Sequence, residues 1–290
     1  MKKCIICGKK DFKTIWYGKL RNSSKGFTTK KEKIYQCLQC DLAFLKNRRK
    51  KLEDSSITRN LFNKNNSYKE FVKFHSPREK AKLKFIEKYI SFKNKKILES
   101  NCGTAILLNN LNRISKQTVG LDSPFYKKIV EKNGHKFYSN IDEIIKDKIK
   151  FDIILSLSEM EHKFDPVSFI KKMKKVLSKK GVIIFRIPNF NNIYMYTLGY
   201  NFFKYDYRIS HNFYFGEKNL DMLFKKLNLE IVKKVGFNEY SFNHLLSYIN
   251  VKKRVPAKGL KKYFNIKTEM FVKKNIENSL AATSLIYILK

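Results

Sequence analysis

"ILESNCGTAILL", residues 97–108, is the stretch from which the fold can be read. Ile97 and Leu98 suit a buried strand. Glu99 follows, then a short turn of small residues, then an apolar run that suits a helix. A strand that turns through small residues into a helix is the form of many phosphate- and nucleotide-binding connections, where glycines let a ligand approach the backbone. Here only Gly103 is a glycine, so the turn is altered from that form. Cys102 is expected to be a small buried residue within it.

The same alternation continues on both sides. Upstream, Ser76 and Pro77 read as the cap and first turn of a helix running to about Ile90, with Leu83, Phe85, Ile86, Tyr89 and Ile90 at helical spacing. Downstream, "TVGLD" reads as a strand and "PFYKKIVEKNG" as a helix ending at Gly134. "KFYS" is a strand, "IDEIIKD" a short helix and "FDIILSLS" the most apolar strand of the chain. "DPVSFIKKMKKVLSKKG" reads as a helix from Asp165 to Gly181, and "VIIFRIPN" as the next strand. Continuous apolar strands alternating with amphipathic helices predict an α/β fold, its parallel sheet covered by helices on both faces. Residues 190–215, aromatic and polar together, break the pattern and read as a lid or substrate-facing segment. "GEKNLDMLFKKLN" and "LEIVKKVGF" resume it, residues 238–280 are mixed and mostly helical, and "SLIYILK" closes as a strand.

Four of the five cysteines form two pairs, Cys4 with Cys7 and Cys37 with Cys40. Two residues between thiolates let both sulfurs of a pair face one ion, and two pairs complete a tetrahedral sulfur shell that suits zinc. Alternating segments between the pairs, "FKTIWYG" and "KIYQC", suit a small ribbon of strands. A redox dithiol within a βαβ unit and a pair of disulfides are the rival readings. Four thiolates leave no open position on the ion, so its role is structural. The chain divides into a zinc ribbon at residues 1–45, a connector with a leading helix at 46–92, and the α/β domain at 93–290.

The formal net charge is +37, yet only nine of the 62 basic residues are arginine. Lysine is spread along the whole chain, which reads as a compositional bias and a solvated surface rather than a nucleic-acid reader built on bidentate arginines. No apolar run approaches the roughly 18 residues a membrane span needs. The basic N-terminus lacks the apolar segment of a secretory signal, so a cytoplasmic protein is expected.

In their order and spacing these segments resemble the class I S-adenosylmethionine-dependent methyltransferases, and among them members with an N-terminal zinc module that act on sugars and surface glycans. "ILESNCGTA" stands where that family has a strand, an acid and a Gly-x-Gly-x-Gly turn; "VGLD" matches its second strand. "FDIILSLSEMEH" with "DPVSFIKKMKKVLSKKGVIIFRIPN" matches its fourth strand, Glu-His end, helix and fifth strand, and "HNFYF" also has a counterpart. The resemblance implies a Rossmann-like, seven-stranded, mostly parallel sheet and S-adenosylmethionine as cofactor. It places Glu99 at the methionine end of the cofactor and Asp122 on the ribose hydroxyls. Asn101 and Gly103 would form the turn, with Ser156, Leu157 and Ser158 on the other side of the cleft. Asn101 and Ala105 replace two of the family's glycines. Asparagine enters left-handed backbone readily, whereas the Ala105 methyl would narrow the approach to the cofactor or the facing helix.

For an acceptor hydroxyl a general base is needed. His162 is the leading candidate, His211 the second, and Glu161 would orient His162 or the substrate; Tyr194, Tyr196 and Tyr205 could stack on a sugar or base. A sugar, glycan or other small molecule is the expected acceptor. The alternatives are a nucleic-acid-directed enzyme or binding protein, and a pseudoenzyme with a degenerate cofactor loop. Against the former stands "SLSEMEH" where amino-methylating DNA enzymes carry an Asn-Pro-Pro-Tyr-like tetrapeptide.

Overall fold

The computed structural model describes residues 3–22, 26–50, 68–199, 203, 206–251 and 265–290. Most of the connector, Tyr205 and residues 252–264 lie outside the described residues. No helix among the described residues is long and apolar enough to cross a membrane.

Eleven strands among the described residues form two sheets. The smaller has the order β1-β2-β3-β9, built from β1 (Phe12–Gly18), β2 (Glu32–Cys37), β3 (Ala43–Leu45) and β9 (Phe213–Tyr214). The larger uses β4 (Lys96–Ser100), β5 (Gln117–Leu121), β6 (Lys136–Tyr138), β7 (Phe151–Leu157), β8 (Leu177–Pro188), β10 (Ile231–Phe237) and β11 (Ser284–Leu289). Its order is β10-β11-β8-β7-β4-β5-β6, and the pairs β4–β5, β4–β7 and β5–β6 run parallel. This is the seven-stranded, Rossmann-like sheet that the resemblance implies. From β4 the chain steps outward to β5 and β6, then returns to β7 on the other side of β4. The carboxyl ends of β4 and β7 are therefore the switch point at which such sheets bind ligands.

Packing divides the chain into two compact units. One comprises Lys51–Met160, Asp165–Phe185 and Ile288–Lys290. It opens with α1 (Tyr68–Ile86), whose residues Leu83, Phe85 and Ile86 are buried. This helix begins eight residues before Ser76, the cap expected from sequence, and holds Pro77 in its interior. Pro77 and Lys73, the residue whose carbonyl a proline at 77 leaves unbonded, are both exposed, so water can satisfy that carbonyl. Then follow α2 (Ile106–Leu111), α3 (Lys127–Lys132), α4 (Ile141–Lys146) and α5 (Pro166–Lys175). Asp165 caps α5 by accepting from Ser168 N at 3.0 Å. The helix ends six residues before Gly181, which lies inside β8. A Cβ at Gly181 would stand 2.8 Å from the Phe151 carbonyl oxygen, so glycine is needed there for close strand packing and not as a helix cap.

The other unit comprises Met1–Lys50, Glu161–Phe164 and Arg186–Tyr287. Its core joins Trp16, Leu20, Ile34, Ala43 and Leu45 to Phe190, Tyr207 and Tyr214. The aromatic stretch 190–215 thus packs against the ribbon: Tyr207 meets Trp16 edge-on at 5.4 Å and stacks on Phe203 at 4.8 Å. It also contains α6 (Ile193–Leu198) and, in β9, pairs Tyr214 with Ala43 and Phe213 with Phe44. Helices α7 (Glu217–Lys226), α8 (Phe242–Val251) and α9 (Ile266–Asn278) complete the unit.

Candidate functional site

Glu99 and Asp122 stand at neighbouring strand tips, since Ser100, next after Glu99, is paired with Leu121, next before Asp122. Asp122 bridges the turn: its Oδ2 accepts from Gly103 N at 2.7 Å and its Oδ1 from Ser123 N at 2.6 Å. The turn is also tied down by Asn101 N, which donates to the Leu121 carbonyl at 2.8 Å. Asn101, Gly103 and Ala105 all have left-handed backbone, with φ of 62°, 50° and 62°. The glycine-preferring positions keep glycine-like geometry although two carry side chains. Ala105 is buried with Cys102, Leu108, Tyr126 and Val130, so its methyl group fills core. Its cost lies in the backbone rather than in a narrowed approach to the ligand. Gly120 makes room for the buried Cys102, whose Sγ would lie 2.7 Å from a Cβ at residue 120.

Two buried polar atoms at the tip of β4, Glu99 Oε2 and Ser100 Oγ, have no hydrogen-bond partner among the described residues. Unpaired buried polar atoms are costly and mark places where a ligand can complete the bonding. Burial, reinforced by repulsion from Glu79 and Asp122 and opposed by Lys82, holds the Glu99 carboxyl well above the usual carboxylate range. Across the switch point, Ser156 is buried and donates to Glu159 Oε2 at 3.0 Å. Leu157 is half-buried, and Ser158 leaves the strand with left-handed backbone, φ 63°.

The four paired cysteines converge: one ligand atom from each lies within 4.8 Å of all the others. Cys4 and Cys40 sulfurs are 3.5 Å apart, as are those of Cys7 and Cys37. A tetrahedral zinc with bonds of about 2.3 Å needs sulfurs about 3.8 Å apart, so the donors fit the ion. Each pair is followed by a left-handed residue, Gly8 at φ 75° and Asp41 at φ 60°, which turns the chain back. Gly8 N donates to the Cys4 carbonyl and Asp41 N to the Cys37 carbonyl, both at 3.0 Å. From α7, Lys226 donates to the Ile6 carbonyl at 2.9 Å and Lys218 meets Asp41 at 2.8 Å, which brings positive charge to both knuckles.

Glu161, His162 and His211 also converge, with one ligand atom of each within 4.8 Å of the others. Glu161 is 2% exposed, and its carboxyl is held above the usual range chiefly by burial, against His162, Arg186 and Arg208. Burial, with His162, Arg208 and Arg21, holds His211 well below the usual histidine range, so it is neutral. Tyr194 is buried against Tyr240 at 5.9 Å, whereas Tyr196 is exposed.

A methyltransferase-domain family matches residues 68–234, more than half of the chain. The chain belongs to this methyltransferase family. Among curated relatives, it is 35% identical over 106 residues to a ubiquinone biosynthesis O-methyltransferase of Pelagibacter ubique, covering 33% of this chain and 43% of that protein. The protein of the same description from Coxiella burnetii is 29% identical over 127 residues, covering 41% and 54%. The chain thus spans about half the length of the curated relatives it matches. Two solved structures share the fold. One is a S-adenosylmethionine-dependent methyltransferase of Thermotoga maritima, with TM-score 0.51, 16% identity and coverage of 77% and 93%. The other belongs to a complex of the Haloferax volcanii Trm112 methyltransferase activator with a methyltransferase, with TM-score 0.52, 11% identity and coverage of 75% and 92%.

Several residues around these clusters carry no sequence signal. Tyr68 donates to the Thr104 carbonyl at 3.3 Å and accepts from Asn109 at 3.3 Å, which braces the turn from α1. His135 continues the network, 2.7 Å from Asn109 and 2.6 Å from Thr118. Asn212 donates to the carbonyls of His162 at 2.8 Å and Arg49 at 2.9 Å, and accepts from Arg49 N at 2.8 Å. Arg48 donates to the Phe164 carbonyl at 2.9 Å.

Two measurements check this geometry. Asn101 is exposed and left-handed, so its replacement reports on backbone rather than packing. Asn101→Val is expected to lower unfolding free energy by about 1–2 kcal/mol, and Asn101→Gly to change it by a few tenths. Equal denaturant midpoints for the two variants would refute the left-handed turn. For Glu99, the folded-state pKa lies above the ordinary value of 4.5. Its contribution is therefore fully present below that value and is lost as pH rises through the raised one. Glu99→Gln should remove that loss, so its advantage in melting temperature over the parent should grow from pH 4 to pH 8. A constant difference across that range would contradict the burial of a protonated acid.

Proposed function

We propose that this chain is a S-adenosylmethionine-dependent methyltransferase that transfers a methyl group to a hydroxyl of a small molecule, a sugar or a glycan. The unpartnered Glu99 Oε2 and Ser100 Oγ at the switch point, beside a turn with three left-handed residues, carry this reading. Those residues fit the cofactor's amino-acid part: backbone can approach it, and buried acceptors await donors. Asp122 would hold the ribose hydroxyls while still anchoring Gly103, because each carboxylate oxygen accepts more than one hydrogen bond. Ser156, Leu157 and Ser158 would face the cofactor from β7. When bound, the cofactor supplies the activated methyl group; the protein's own part is alignment and exclusion of water. The O-methyltransferase description of the relatives supports oxygen as the acceptor atom.

Glu161, His162 and His211 are proposed as the acceptor-side group that manages the hydroxyl proton. His162 follows Ser158 by four residues in the chain. The cysteine cluster would hold a structural zinc. None of the five cysteines forms a disulfide, which suits the reducing cytoplasm as the site of action.

Calorimetric titration of the full chain with S-adenosylmethionine and with its demethylated product tests the reading. Saturable one-to-one binding of both is expected. Transfer of labelled methyl from the cofactor to hydroxyl-bearing sugars and phenols then identifies the acceptor class. Absence of binding at millimolar cofactor would overturn the proposal and leave a scaffold protein in its place.

A further inference from the structure

We infer that Glu161, His162 and His211 form a second metal site, one that takes a divalent transition-metal ion and is separate from the cysteine cluster. His162 Nδ1 lies 2.9 Å from the Ser210 carbonyl oxygen, so Nδ1 carries the proton and donates it there. The other ring nitrogen, Nε2, faces Glu161 Oε1 at 3.8 Å. An ion held between these two atoms needs further ligands. A carbonyl that fixes the imidazole tautomer from behind is also the usual outer support of a metal-binding histidine.

The remaining donors meet the same demand. Glu161 Oε2 is buried without a hydrogen-bond partner among the described residues. His211 packs its ring edge-on to His162, with centroids 4.9 Å apart. One ligand atom from each of the three side chains falls within a 4.8 Å set. Ligand bonds of about 2.0–2.1 Å require donors about 3.3 Å apart, so the side chains close by about an ångström around the ion. The backbone is already fixed: Asn212 holds the His162 carbonyl and Arg48 the Phe164 carbonyl. The His162 side chain is 21% exposed, which leaves solvent a route for the ion.

Two imidazoles and one carboxylate favour zinc, iron(II), cobalt(II) or manganese(II) over calcium and magnesium, which prefer all-oxygen shells. Three protein ligands leave coordination positions open, unlike the closed four-thiolate site. On the functional reading above, an acceptor hydroxyl or water would occupy one of them, and the ion would lower its pKa. The binding of the ion does not depend on that reading.

Cobalt(II) reconstitution of the full chain separates the two sites, because only thiolate ligands give intense near-ultraviolet charge-transfer bands. The wild-type chain is expected to bind two equivalents, one with those bands and one with weak visible absorption alone. His162→Ala combined with His211→Ala should lose the second equivalent and keep the thiolate bands, which also report that the ribbon is folded. Glu161→Gln, nearly the same shape, should likewise lose the second equivalent. A wild-type chain that saturates at the thiolate-bound equivalent would overturn the inference whatever the variants do. So would a double variant that still binds two. Cofactor titration of the same samples keeps failure of this site distinct from failure of the methyltransferase reading.

Discussion

Asp122→Ala is expected to weaken cofactor binding by roughly 100- to 1,000-fold and to destabilise the fold at the same time. The carboxylate accepts from Gly103 N and Ser123 N, and so ties the turn after β4 to the tip of β5. Loss of two charge-assisted bonds at a half-buried position costs about 2 kcal/mol of stability. Loss of two further bonds to a ribose diol would remove about 3–4 kcal/mol of binding, the origin of the fold-change given. Calorimetric titration with the demethylated cofactor and a denaturant melt, run on the same preparation, separate the two effects. Lower stability with undiminished affinity would make Asp122 a strut for the turn and nothing more.

Removal of the zinc proposed for the cysteine cluster is expected to unfold the ribbon. Structural zinc contributes on the order of 10 kcal/mol to small sites, comparable with the whole stability of an ordinary domain. Cys37 and Cys40 are fully buried, and the short strand β3 follows the second knuckle directly. Without the ion, no bond ties the sulfurs of one knuckle to those of the other. Trp16 is the single tryptophan of the chain and is 4% exposed in the ribbon core, so it reports the event directly. Treatment with a strong chelator, or Cys37→Ser, should shift its emission to the red as zinc is released. Unchanged Trp16 emission after complete loss of the metal would show that the ribbon's apolar core suffices without the ion.

Much of this architecture could be read directly because strong local patterns carry it. Strands buried on both faces must be apolar throughout, so "FDIILSLS" and "SLIYIL" announce β7 and β11. Cysteines two residues apart can serve one ion by local geometry alone, and the four do converge. Glu99 and Asp122 were legible because each sits at or just past a strand end, where neighbouring parallel strands bring tips together. The start of α1 differs from the expectation because Ser-Pro is a good helix opening; only exposure of Lys73 and Pro77 lets the helix run through it. The Asp165–Gly181 helix stops at Lys175 because the backbone beyond it bonds to the sheet: Phe151 N donates to the Val176 carbonyl at 2.9 Å.

The sequence by itself determined the order of strands and helices, the acids at the strand tips and the sulfur set for a metal, since each depends on residues close in the chain. Tertiary structure alone decided what surrounds them. Asn212 grips His162 from 50 residues away, Arg48 reaches Phe164 across 116, and His211 lands beside Glu161. It also decided that Ala105 takes left-handed backbone in place of glycine. Such pairings have no local signature: they follow from burying many side chains at once, and a hydrogen bond between distant residues costs chain entropy that only the assembled core can offset.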